Sequence, residues 1–113
     1  HGFLAGDDAE ASRLALPASL RVMNKIGRGR GWRPLTPEYF AWSRTLEGAD
    51  FIGDPERVAE KVLYWYELFR PERLLLQLSV GTLPHARVLR AIELLGTEVL
   101  PRVERALRPP AGG

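Results

Sequence analysis

Ala49-Asp50-Phe51-Ile52-Gly53-Asp54-Pro55 and, further along, Arg73-Leu74-Leu75-Leu76-Gln77-Leu78-Ser79-Val80-Gly81-Thr82-Leu83-Pro84 carry two strand-to-helix joints. Ala49, Phe51 and Ile52 read as a short apolar strand. Gly53 supplies a turn, Asp54 a capping carboxylate and Pro55 the fixed φ of a first helical position. The helix that follows carries Val58, Val62, Trp65 and Phe69 at helical spacing and is stopped by Arg70-Pro71. Leu74 to Ser79 is long enough for a buried strand and too short for an independent helix. Gly81 to Pro84 then opens a last helix. The stretch 49–107 is therefore predicted to be a βαβα unit with strands 49–52 and 74–79 parallel, an α/β class in which chemistry gathers at the carboxyl ends of the strands. Those ends are Gly53 and Val80-Gly81.

Working outward, Asp7 to Lys25 reads as helix and forms most of an N-terminal helical segment, 1–26, with a kink or break expected at Pro17. In the 27–48 region, Gly27 to Pro34 alternates glycine with arginine and reads as loop. Thr36-Pro37-Glu38 then caps a short helix ending by Leu46. In the last helix Val88, Ile92, Leu95, Val99, Val103 and Leu107 share one seam, which Gly96 and Pro101 should bend. The tail 108–113 is expected to be disordered. Along 74–80 the leucines and Val80 alternate with Leu75, Gln77 and Ser79, so the two polar residues share a face.

A closed eight-stranded βα barrel takes about 250 residues, and the chain has 113. It is expected to be one incomplete unit, a piece of such a barrel. Absence of cysteine excludes disulfides, thiolate metal sites and thiol nucleophiles, and two histidines argue against a histidine-built metal site. No apolar run reaches the length of a membrane span and no signal peptide is visible, which makes a cytoplasmic protein the default. The net charge of +2 creates no strong overall field.

No nucleophile–base pair, paired acid constellation, phosphate loop or dinucleotide fingerprint is present, and no catalytic residue is assigned. Gly27 to Arg33 offers arginines, backbone glycines and Trp32 to an RNA strand. With only three basic groups in play, a solvated loop is preferred and nucleic acid is not the expected partner. Asp54 is read as a cap, since its carboxylate would repel an anion at the same helix end. His85, in the first turn after Pro84, is a candidate ligand contact or general acid.

Phe51 to Val62, Arg73 to His85 and Leu89 to Val103, in that order, resemble the carboxyl-terminal part of the luciferase-like flavin-dependent monooxygenases, and Met23 to Arg28 with Gly31-Trp32 resemble the stretch before it. The resemblance implies a (β/α)8 barrel in which Ala49 to Ile52 is the seventh strand and Leu74 to Ser79 the eighth. It also implies an oxidoreductase using FMN or, in some branches, a deazaflavin. Gln77, Ser79, Gly81 and His85 are the cofactor-binding candidates that it leaves on this chain, since the catalytic base and most flavin phosphate contacts of the family lie on earlier strands. Two strands cannot close a barrel, so the chain is expected to bind no flavin alone and to be inactive alone. Its open side should be covered by a second copy in a homo-oligomer or by the missing N-terminal barrel portion. The alternatives are a noncatalytic interaction protein and a weak RNA binder.

Overall fold

Two apolar tripeptides form the sheet among residues 1–109, which are those that the computed structural model describes. β1 (Gly2–Leu4) and β2 (Phe51–Gly53) pair in parallel, with Gly2 opposite Phe51, Phe3 opposite Ile52 and Leu4 opposite Gly53. The Phe51 N–H donates to the His1 carbonyl at 2.8 Å and the Ala5 N–H to that of Gly53 at 3.4 Å, extending the pairing at both ends. All six strand residues are buried, as parallel strands require of the helices that cover them. Five helices supply that cover: α1 (Asp8–Arg30), α2 (Pro37–Ser43), α3 (Pro55–Phe69), α4 (His85–Leu94) and α5 (Leu100–Leu107). The result is a mixed α/β structure, mostly helical, around Phe3, Leu4, Ala11, Ala15, Phe40, Ile52 and Val58. Each fully buried Phe or Leu of this set contributes about 1.5–3 kcal/mol.

β1 replaces part of the expected helical segment 1–26. Phe3-Leu4 followed by Gly6-Asp7 repeats the punctuation of Phe51-Ile52 followed by Gly53-Asp54, and Asp7 caps α1 by accepting the Ala9 N–H at 2.9 Å, as Asp54 caps α3 through Arg57 at 2.8 Å.

The strand expected at 74–79 is not a ladder strand, and β2 does not have it as a parallel neighbour. One bond, from the Gly2 N–H to the Gln77 carbonyl at 2.9 Å, ties the segment to the start of β1. The segment passes from the α3 side, where Leu74 and Leu76 face Trp65 across a groove, to the α1 side, where Gly81 rests on Ala18 and Val22. Its alternation survives without the ladder. Leu78 and Val80 are buried and Leu74 and Leu76 half-buried, whereas Leu75 is 91% exposed beside exposed Gln77 and Ser79. The burial pattern sets which side faces inward, and β1 has already taken the edge of β2 that it pairs with.

α1 also departs from expectation, because it neither breaks at Pro17 nor ends before Gly27. Pro17 and Arg13, one turn earlier, are both exposed, so the carbonyl left without its donor lies on the solvent side. The helix runs to Arg30 and stops at Gly31, whose φ of 69° suits glycine; the N–H groups of Gly31 and Trp32 both return to the Gly27 carbonyl. A Cβ on Gly27 would lie 3.3 Å from the Trp32 Cβ, and glycine there lets the indole fold back on the helix. The loop is thus confined to residues 31–36.

α3 ends where Arg70-Pro71 says it should, at Arg70 with a φ of 47°. The bend expected between Gly96 and Pro101 takes the form of a π turn over Leu95–Val99, in which the Leu100 N–H reaches back to Leu95. Its extra residue has a packing purpose. Ala91 and Leu94 are buried and the next position in phase would be Glu98; the insertion brings Val99 to the core instead. Ile92, placed on the seam by spacing, is half-exposed. Of the tail, Arg108 and Pro109 are exposed, and 110–113 lie outside the described residues. No helix among the described residues is long and apolar enough to cross a membrane.

Candidate functional site

Gly53 and Val80-Gly81 do not share a mouth. Gly53 lies at the carboxyl end of β2, opposite Leu4, whereas Val80 lines a cleft with His1, before the amino end of β1. Each end of the sheet therefore carries its own constellation.

At the carboxyl end the centre is Asp8, which the sequence analysis left unassigned. Asp7 caps α1, and the next carboxylate is free to reach across the sheet. One of its oxygens accepts from Arg44 Nη2 at 3.0 Å and from the Asp54 N–H at 3.3 Å, and the other from Arg57 Nη1 at 2.8 Å. Gly53 makes room for it: a Cβ there would stand 2.5 Å from Asp8 Oδ1 and 2.9 Å from Arg57 Cδ. Burial pushes the Asp8 carboxyl up, but the hydrogen bond and charge of Arg44, the charge of Arg57 and the Asp54 N–H outweigh it and hold the group below its ordinary value of 3.8. This knot ties the starts of α1 and α3 to Arg44 at the end of α2. An internal carboxylate occupies the place where an anion would sit at these helix starts, so the knot reads as structural. A depressed carboxyl stabilises the fold above its unfolded pKa, and that contribution is lost as pH falls through the lowered folded value. Asp8→Asn is expected to cost about 1–2 kcal/mol at pH 7 and to make the urea midpoint less sensitive to acid below pH 4; equal acid sensitivity in both proteins would remove the assignment.

At the amino end, Gln77, Ser79 and Gly81 come together on a cleft of about 310 Å³ with His1, Met23, Arg30 and Trp32. Gly81, with a φ of 61°, lies flat against α1, where a Cβ would meet the Ala18 carbonyl oxygen at 2.9 Å. The Gln77 amide donates to the Ser79 carbonyl at 3.4 Å, and the Arg30 guanidinium stands 5.1 Å from the Trp32 ring centre. Across Trp32 the cleft continues into a second hollow walled by Arg33, Tyr39 and Trp42, with the Tyr39 and Trp42 ring centres 5.5 Å apart. His85 is not part of this cleft; it opens α4 and is exposed. Spacing alone separates Arg30 and Trp32 from Gln77 and Ser79, and nothing in the sequence pattern joins them. Only the extension of α1 to Arg30, with Trp32 folded back on Gly27, brings them to Ser79.

The cleft offers a half-exposed indole face, a guanidinium and amide and hydroxyl groups, a set that suits a planar aromatic ligand bearing an anionic group. Among the described residues no three His, Asp or Glu side chains stand together as a metal site. A scan against protein-family models finds no match for the chain, and a search of curated proteins finds none either.

Proposed function

We propose that this chain is the carboxyl-terminal part of a cytoplasmic, luciferase-like flavin-dependent oxidoreductase and that it supplies one wall of the flavin site. The reading rests on the resemblance carried by Phe51 to Val62, Arg73 to His85 and Leu89 to Val103. The observation that favours it is the meeting of Gln77, Ser79 and Gly81 on one cleft with Trp32 and Arg30. In this reading Trp32 lies against the isoalloxazine of FMN or a deazaflavin, Gln77 and Ser79 hydrogen-bond its polar edge, and Arg30 neutralises an anionic group. His85 is not carried forward into this cleft. The flavin, when bound, supplies oxygen activation or hydride transfer.

The finer architecture belongs to the same proposal. Three extended segments, 2–4, 51–53 and 74–80, each lead into a helix, and Leu75, Gln77 and Ser79 lie bare on one face as barrel-lining residues would without their neighbours. In the completed barrel the remaining strands, with the catalytic base and most phosphate contacts, come from outside these residues or from a second copy. Alone, the chain does not turn over.

Titration with FMN, followed by tryptophan fluorescence, tests the wall. One wall cannot retain a flavin, and in place of the expectation of no binding the cleft is expected to give only weak, readily reversed quenching, with a Kd of about 100 μM or higher, equivalent to no more than about 5.5 kcal/mol. It should be diminished by Arg30→Ala and Gln77→Ala. Quenching that is absent at millimolar flavin, or indifferent to both changes, would overturn the assignment of this cleft.

A further inference from the structure

Between Glu10 and Glu38 the chain has six basic side chains, Arg13, Arg21, Lys25, Arg28, Arg30 and Arg33, and no acidic one. The whole chain carries only +2, so the remainder is net acidic and charge is sorted along the molecule. As a loop, Gly27 to Arg33 would scatter its arginines. As the end of α1 it aligns Arg28 with the helix, and at 100° per residue Arg13, Arg21, Lys25 and Arg28 fall within about 120° of one another over about 22 Å of axis. This stripe flanks the face of Ala11, Ala15 and Ala18, which are buried against the core, its centre lying about 100° around the helix from theirs. All six cations are exposed and none takes part in an ion pair among the described residues; Arg21 donates to the Thr82 hydroxyl and Arg30 stands against Trp32. The first acidic group on the same face, Glu10, is already matched by Arg87 at 2.8 Å.

Next to this stripe stands Trp32, folded onto Gly27, one residue from Arg28, and 50% exposed. Beyond it lie Arg33 and the exposed rings of Tyr39 and Trp42. A row of cations without carboxylate partners, bordered by open aromatic faces, is what a strand with regularly spaced phosphates and unstacked bases requires. We propose that the exposed face of α1, with Trp32 at its end, binds single-stranded nucleic acid without sequence preference. The cations track the backbone, and the indole stacks on a base that a duplex would keep paired. The stripe of Arg13, Arg21, Lys25 and Arg28 lies outside the cleft that holds Gln77 and Ser79, and Trp32 alone serves both readings, so the loss of flavin binding would leave the salt-dependent part of the proposal standing.

The test is fluorescence anisotropy of a short labelled oligothymidylate titrated with the protein at several salt concentrations. Affinity is expected to fall steeply with salt. Arg13→Ala/Lys25→Ala/Arg28→Ala, three changes to a good helix former, should reduce the magnitude of the log–log salt slope by about 2 and leave both the helical circular dichroism and the FMN titration unchanged. Trp32→Ala should weaken the oligonucleotide roughly tenfold with little change in that slope. No salt-dependent binding, an unchanged slope in the triple variant, or equal affinity for a duplex of the same length would overturn the proposal. Tighter binding to acidic phospholipid vesicles than to the oligonucleotide would also overturn it, in favour of a membrane-facing stripe.

Discussion

Gly48→Ala is expected to destabilise the protein by about 3 kcal/mol, the upper end of what overpacking costs. Gly48 is buried in the turn between α2 and β2, and a Cβ on it would lie 2.5 Å from the Ser43 Cα and carbonyl carbon and nearer still to the carbonyl oxygen. These are backbone atoms, which cannot swing aside. The Ser43 carbonyl cannot easily retreat, because it accepts the Asp50 N–H at 3.0 Å and Lys61 Nζ at 3.1 Å, and the Ser43 hydroxyl is shared between the Phe40 carbonyl at 2.7 Å and Asp50 Oδ2 at 2.8 Å. Moving the end of α2 therefore disturbs the entry to β2. Gly29, with open space around its Cβ position, is the control: Gly29→Ala should stabilise α1 by about 0.5–1 kcal/mol. Chemical denaturation of both variants checks the pair, and a Gly48→Ala protein as stable as the parent would mean that the turn is not held as described.

The second large effect concerns Lys61, a lysine that is 2% exposed. Its ammonium donates to the Ser43 and Asp50 carbonyls and stands 5.1 Å from the Phe51 ring centre, which places a cation at the carboxyl end of α2. Burial lowers its pKa from 10.5 to about 8, against the opposing charge of Asp50 and with small contributions from Arg57 and Arg44. In the window between about 8 and 10.5 the unfolded chain binds more protons than the folded one, so stability rises with pH there. The gain is about 3 kcal/mol across that window. Below pH 8 both states are protonated and the full cost of burying the charge is present. A neutral amine still donates to both carbonyls. Lys61→Met removes the charge and should be near neutral in stability at pH 7, but the difference between parent and variant should widen in the parent's favour from pH 8 to 10.5. Urea midpoints across that range decide it, and a constant difference would mean that the two carbonyls fully compensate the buried charge.

Neither residue stands out on inspection. Lys61, after Glu60 and one turn on from Arg57, reads as the solvated outer face of α3, and Gly48 reads as one more turn glycine. The punctuation is legible by contrast: Asp54-Pro55, Thr36-Pro37 and Arg70-Pro71 place three helix ends within a residue or two, because capping is settled by atoms a few positions away. Proline at position 17 misleads, since its cost depends on which way the orphaned carbonyl faces, and that is known only once the core side of α1 is known.

Local chemistry by itself determined where the long helices start and where α3 stops, that Phe51 and Ile52 form a strand, and which residues of 74–80 face inward, because caps, turn glycines and alternation act over one or two turns of chain. Tertiary structure alone decided that Gly2–Leu4 is the partner of β2, that 74–80 crosses the start of β1 without a ladder, and that Gln77 and Ser79 meet Trp32 instead of Gly53. Strand pairing and cleft composition are contests among distant segments for the same edge and the same apolar surface, and a run of leucines holds no record of which segment reaches that edge first.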